Sequence, residues 1–407
     1  MPEFNLWITL LTIICVMAAM LVTCAYLIFI ERKVAAWVQD RIGPNRVGPW
    51  GLLQSVADGL KFLLKEDIIP SHVDKLFFLL APTIGVTTAL LAFAVVPFGP
   101  TNLAGEKTGA YQFVIAPRVD VGIVFIFAVT SLTVYSIILG GWSSNSKYSF
   151  LGALRSTAQL VSYEIPMGMS ILGVVLFTGS LNLERIIDQQ VNPDWLPRES
   201  TEGWWAWLGI FGWNVWYQPL AFLLFLTSVL AECNRLPFDL PEAEQELVGG
   251  YHTEYSALKF GLFFLAEYTH VVTTSFLLVI LFFGGWHLPW IAESGESGIG
   301  LTIVKLIVFL LKVASFVLFY MLVRWTIPRF RFDQLMSLAW KVMIPLALAN
   351  LIAVMIVKET ATSEWILLPV SLALLMGASL LAGYWPKHPE RVMVIARGEE
   401  RFETVAR

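Results

Sequence analysis

Nine apolar runs, separated by shorter polar stretches, divide the chain at about 6–30, 75–97, 119–140, 157–179, 216–233, 257–284, 302–323, 338–358 and 363–384. A hydrocarbon layer about 30 Å thick takes roughly 20 helical residues to cross. Inside lipid the backbone must satisfy its own hydrogen bonds, so continuous runs of this length are helices. The pattern predicts an all-α polytopic membrane protein with about nine transmembrane helices. We read residues 1–385 as a single transmembrane domain and 386–407 as a polar tail.

Between the first two runs the period changes. The stretch RIGPNRVGPWG is rich in turn formers, and after it Leu52, Leu53, Val56, Ala57, Leu60, Phe62, Leu63 and Leu64 recur at helical spacing among polar residues. This predicts a short interfacial amphipathic helix at about 50–65, lying along the membrane face. Asp58 falls on or beside the apolar stripe. A carboxylate there needs a partner or a water-filled cavity.

Composition supports the class. Charged residues make up 14% of the chain and hydrophobic ones 57%, whereas about 25% is charged in an ordinary soluble domain. The first run follows no basic segment and is too long for a signal-peptide core, so it reads as a retained first helix. With the N-terminus outside, the inner segments hold 17 Lys and Arg and the outer ones 5. That asymmetry predicts an N-out, C-in chain. The outer loop 180–215 carries Trp195, Trp204, Trp205, Trp207 and Trp213, the composition of an interfacial aromatic belt. Cys15, Cys24 and Cys233 form no C-x-x-C pair, so neither a zinc site nor an iron–sulfur cluster is built from this chain alone. No phosphate-binding glycine loop is present.

Ionisable residues interrupt the apolar runs. Glu164 lies within the fourth and Glu232 ends the fifth. Glu267 lies in the sixth, with His270 and Thr274 on its face, and Lys305, Lys312 and Lys341 lie in later runs. A charge at the middle of a spanning helix costs on the order of 2.5–3.5 kcal/mol on insertion scales. Singly, each is equally readable as a structural ion pair. Together with Glu254, and with Glu242, Glu244 and Glu246 nearer the bulk, the carboxylates have the pattern of a hydrated proton path. The last four belong to the acidic inner loop 233–256, AECNRLPFDLPEAEQELVGGYHTEY with its leading Ala231-Glu232, whose only cation is Arg235.

Five stretches carry a family resemblance: ERKVAAWVQDRIGPNRVGPWGLLQSVADGLKFLLKE (31–66), GGWSSNSKYSFLGALRSTAQLVSYE (140–164), AECNRLPFDLPEAEQELVGGYHTEYS (231–256), FFLAEYT (263–269) and IPRFRFDQLMSLAWK (327–341). In this order they resemble the H subunit of bacterial NADH:quinone oxidoreductase, respiratory complex I, whose mitochondrial counterpart is NADH dehydrogenase subunit 1. The resemblance runs from the first helix to about Ala349. It implies a multi-pass component of the bacterial cytoplasmic membrane that helps form the quinone-reduction chamber and couples quinone reduction to proton translocation. It further implies quinone as substrate, with FMN and iron–sulfur clusters only in partner subunits. The implied partners are the hydrophilic quinone-site and iron–sulfur subunits, small membrane subunits and antiporter-like subunits. Carried over by motif, Glu31, Arg32, Arg41, Asp58, Arg235, Asp239, Arg329 and Arg331 line or brace the quinone chamber. Glu164, Glu232, Glu242, Glu244, Glu246, Glu254 and Glu267 carry the proton path. No catalytic residue and no metal ligand is expected on this chain alone.

Two other readings compete. The membrane subunit of a related energy-converting hydrogenase or formate hydrogenlyase would share much of this pattern without quinone. A secondary ion transporter would share the buried charges, but no internal repeat is visible.

Overall fold

The computed structural model describes residues 6–99, 115–116, 119–191, 209–239, 248–289, 291, 299–360, 364–384, 390–396 and 399–405. Its helices are α1 (Leu6–Val38), α2 (Gln54–Leu64), α3 (Lys75–Leu91), α4 (Gly122–Ser131), α5 (Thr133–Ser143), α6 (Lys147–Thr178), α7 (Leu183–Val191), α8 (Asn214–Tyr217), α9 (Pro219–Glu232), α10 (Ala257–Phe282), α11 (Ile299–Thr326), α12 (Phe332–Leu338), α13 (Ile344–Glu359) and α14 (Leu367–Tyr384). Among the described residues seven helical segments are long and apolar enough to cross a membrane, and α9 and α14 are shorter apolar helices. All nine expected runs are therefore helical. Two strands, β1 (Glu390–Ala396) and β2 (Glu399–Val405), pair antiparallel with Glu390 opposite Val405 and Ala396 opposite Glu399. They lie in the tail, where the sequence holds the short apolar run Val392–Ile395.

Several helices outrun their apolar patterns. α1 continues through Glu31-Arg32-Lys33 to Val38, so its 33 residues reach about 50 Å. α6 begins at Lys147, ten residues before its apolar run. Ser149 and Ser156 lie in that added stretch, and both are buried against neighbouring protein. The third run is two helices, α4 and α5, divided at Leu132.

α10 is the centre of the bundle. From Tyr268 to Phe282 every residue is buried, so protein surrounds the helix on all sides. It touches α1, α2, α3, α7, α9 and α11. Its polar residues Thr269, Thr273, Thr274 and Ser275 return their hydroxyls to carbonyls one turn back, 2.7–2.9 Å away, which satisfies them without a partner helix.

α3 packs on α5 and α10. Pro82 inside α3 cannot donate to the Phe78 carbonyl. That carbonyl instead accepts from the Tyr255 hydroxyl at 3.2 Å, and the Tyr255 ring stacks on Phe78 at 4.0 Å. α6 packs on α5, α9 and α13. Its Gly152 faces the backbone of Gly250, where a Cβ would meet the Gly250 Cα at 2.6 Å.

The Gly152–Gly250 approach leaves no room for a methyl group, because the opposing atoms are backbone. Gly152→Ala should destabilise the fold by about 1–3 kcal/mol. Thermal unfolding of the detergent-solubilised protein, compared with Gly168→Ala, measures this. Gly168 has open space beside it, so its variant should unfold like the native protein.

Candidate functional site

The site is built on the segment that follows α9. Pro219 opens α9 with its fixed φ, and the helix ends at Glu232. Gln159 of α6 then pins the chain. Its Nε2 donates to the carbonyls of Ala231 and Phe238, both at 2.7 Å. Asn234 takes a positive φ of 48°, and the turn places Arg235 inward. Further on, the Phe330 N–H donates to the Pro237 carbonyl at 3.1 Å, and Arg329 pairs with the buried Asp239 at 3.1 Å. The segment between α9 and residue 239 is thus held by α6 on one side and by the α11–α12 connection on the other.

Arg235 is the hub. Its Nη1 lies 3.3 Å from both oxygens of Glu31 on α1, and its Nε 3.7 Å from Glu267 on α10. The guanidinium sits over the Tyr268 ring at 4.3 Å, a cation–π geometry. Tyr268 in turn donates its hydroxyl to Glu31 at 2.5 Å, and Arg324 of α11 makes a further ion pair with Glu31. Burial alone would favour a neutral Arg235, but the Glu267 and Glu31 carboxylates outweigh it and hold the charge above its ordinary range.

Three small cavities border members of this cluster. The first, about 50 Å³, is lined by Glu164, Glu232 and Glu267 together with Cys233, Asn234, Tyr251 and His270. A cavity needs about 10–15 Å³ to hold one water, so about three to five would fit. The second, about 10 Å³, shares Asn234, Tyr251, Phe263 and Glu267 with the first and extends to Asp239 and His252. Burial between aromatic neighbours pushes the His252 imidazole down to about 4, so it is neutral at pH 7. The third, about 20 Å³, is lined by Glu31, Arg235, Tyr268 and Arg324 among apolar residues. Around the first cavity Glu164 accepts from Ser131, and the Glu232 Oε2 has no hydrogen-bond partner among the described residues.

Other expected site residues fall in different places. Arg32 bonds Asp58 at 2.5 Å, and Gln54 bonds the other Asp58 oxygen at 3.0 Å. The Ser55 hydroxyl donates to the Ala25 carbonyl. α2 therefore turns its polar side to α1, while Leu60, Leu63 and Leu64 stay exposed. Arg32, Arg46, Gln54 and the loop between them border an open recess of about 710 Å³. Arg41 and Arg331 are exposed at the surface. Glu254 does not line the acid cavity; it lies 3.9 Å from His72 in the loop before α3. Glu242, Glu244 and Glu246 lie outside the described residues, as do Trp195, Trp204, Trp205 and Trp207.

The NADH dehydrogenase family matches residues 11–355. An H subunit of the NADH-quinone oxidoreductase of Cytophaga hutchinsonii is 46% identical over 332 residues, covering 82% of this chain and 91% of the relative. The protein numbered 8 among the subunits of the Rhodothermus marinus NADH-quinone oxidoreductase is 45% identical over 358 residues, covering 86% and 97%. The H subunit of the Leptospira biflexa enzyme is 48% identical over 334 residues, covering 79% and 86%. The chain belongs to the NADH dehydrogenase family. It is an integral membrane protein, as its apolar helices and these complex I relatives together indicate. α14 and the strand pair lie beyond the region that the family matches.

Sequence reasoning did not single out Tyr268, Arg324, Tyr251 or Ser131. Tyr268 follows Glu267, and neighbouring helix residues face about 100° apart. Helical spacing therefore separates two residues that Arg235 reunites. Arg324 reads as an ordinary charge at a helix end. Only its approach to Glu31, far away in sequence, marks it.

Removing Arg235 takes a cation away from Glu267 and from one side of Glu31. Arg235→Ala should destabilise the protein by about 3–5 kcal/mol. Adding Glu267→Gln in the same chain should recover part of that loss, because the carboxylate that Arg235 paired is then neutral. Thermal unfolding of the single and double variants tests the pairing; additive losses would show that the two residues do not interact.

Proposed function

We propose that this chain is the membrane subunit of a proton-pumping NADH:quinone oxidoreductase that helps form the quinone-reduction chamber and couples quinone reduction to proton translocation. It lies in the bacterial cytoplasmic membrane with its N-terminus outside and its C-terminus in the cytoplasm. Its partners are the hydrophilic quinone-site and iron–sulfur subunits, the small membrane subunits and the antiporter-like subunits. FMN and iron–sulfur clusters belong to those partners. The cysteines here do not suit a cluster: Cys24 and Cys233 each hydrogen-bond a threonine, and Cys15 is exposed.

The observation that carries the reading is Arg235, one cation shared between Glu31 on α1 and Glu267 on the acid cavity. The end of α1 is also where Arg32, Asp58 and the open recess lie, a place for a quinone headgroup beside an apolar approach formed by α2. Reduction to quinol consumes two protons and changes the charge of a confined site. A nearby charge of either sign moves a carboxylate's proton affinity. A change on the Glu31 side that draws Arg235 away from Glu267 raises the proton affinity of Glu267; its return lowers it. Glu267 then exchanges protons with Glu164 and Glu232 through the waters of the first cavity. The loop 233–256 is the proposed two-state element. Val248 and Gly250 in it take positive φ of 65° and 60°, and the acids Glu242, Glu244 and Glu246 lie on it. Glu254, beside His72, would serve at the bulk-facing end.

Glu267→Gln should abolish most proton pumping and slow coupled quinone reduction while the complex still assembles. Proton uptake by reconstituted vesicles measures this, and pumping at the native rate would remove Glu267 from the path. Asp58→Asn weakens its bond to Arg32 and should raise the apparent KM for a short-chain quinone or lower turnover. Unchanged quinone kinetics would leave Asp58 as a brace between α1 and α2 only.

A further inference from the structure

His270 lies one turn beyond Glu267 on the same face of α10, and both line the first cavity. The residue is 6% exposed. Its Nε2 is 3.1 Å from the Thr133 hydroxyl, and Thr133 is 3.0 Å from the Thr88 hydroxyl. Thr88 has the carbonyls of Ile84 and Gly85 at 2.9 and 3.1 Å. Carbonyls only accept, so the Thr88 proton points to them. Thr133 then donates to Thr88, and the Thr133 oxygen is left to accept from His270. The chain of hydroxyls therefore fixes the proton of the neutral ring on Nε2. Nδ1 is left as a bare lone pair, and it has no hydrogen-bond partner among the described residues. Other titratable groups facing this space are Glu164, Glu232, Glu267, Cys233 and Tyr251.

We propose that His270 is a proton acceptor on the acid cavity, carrying protons between Glu267 and Glu232 through its Nδ1. The inference rests on the proposed proton-translocating function and adds a residue that the pattern of carboxylates did not supply. In the first step a protonated Glu267 gives its proton, through a cavity water, to Nδ1. The products are a Glu267 carboxylate and an imidazolium. In the second, the Nδ1 proton passes through water to the Glu232 carboxylate, and the ring returns to its neutral form. The Nε2–H stays on Thr133 throughout, so no ring flip is needed between turnovers. The chain cannot conduct beyond Thr88, because it ends on backbone carbonyls. Its work is to hold the tautomer.

The test uses the whole complex in sealed vesicles, recording proton uptake and quinone reduction together. His270→Gln keeps an amide donor for Thr133 and removes the base. Coupled proton uptake should slow about a hundredfold, with the KM for quinone unchanged. Thr133→Val, which frees the tautomer, should slow uptake in the same way, and Thr133→Ser should restore it. Native uptake in His270→Gln alongside a defect in Glu267→Gln would overturn the role of His270 and leave the proposed function standing. Native uptake in both would remove the proposed function and this inference with it. Should His270→Gln fail to assemble, the Thr133 pair decides: equal rates in the valine and serine variants would overturn the proposal.

Discussion

A single buried cation holds the site together. Arg235 is a loop residue with its charge among three helices and almost no water. Such a charge is costly unless paired and hydrogen-bonded. Glu31 and Glu267 supply the pairing from α1 and α10, Tyr268 supplies a ring face, and Arg324 shares Glu31. Two cations and two carboxylates balance within one cluster. Each member is therefore coupled to the others, so that a change of charge at one is felt by the rest. A balanced cluster is a poor source of stability compared with apolar packing of the same volume, but it is a good transmitter.

The surrounding bundle keeps that cluster dry where dryness matters and wet where it does not. α10 is surrounded by protein from Tyr268 to Phe282, so its polar residues are spared contact with lipid. Its threonines close on their own backbone, and its three exceptional groups, Glu267, Tyr268 and His270, are placed on the cavities. The cavities are small, and each is bordered by at least one member of the charged cluster. Elsewhere the same economy recurs in structural form. Lys312 donates to the carbonyls of Phe283, Gly285 and His287 at the end of α10. Lys358 does the same for the carbonyls of Leu176 and Phe177 at the end of α6. Both lysines answer unsatisfied carbonyls and the negative end of a helix dipole. Their presence in apolar runs thus has a local explanation.

The helices were legible because lipid removes alternatives: a long apolar run has one way to satisfy its backbone. Helix ends were less legible, since they depend on protein neighbours. α6 starts early because Ser149 and Ser156 are buried by other parts of the chain, and α1 runs on because Glu31 has Arg235 and Arg324 to meet. In the site, charged residues within apolar runs announced themselves by their cost. Glu164, Glu232 and Glu267 do share a cavity. Glu254 looked equivalent in sequence and sits apart beside His72. Asp58 looked as though it needed a partner, and no local spacing indicated that Arg32 would provide it.

By itself the sequence determined the class of the protein, the positions of its spanning helices and the identity of the acids that membrane burial makes exceptional. These follow from local composition against a fixed solvent, and periodicity records them. The tertiary structure alone decided which charges meet. Glu31 and Arg235 are 204 positions apart and Arg324 a further 89, and their encounter depends on how α1, α10 and α11 pack. It also decided that the free nitrogen of His270 is Nδ1, since that rests on Thr133 and Thr88 from two other helices. Local sequence fixes what each helix must bury; only packing fixes what it is buried against.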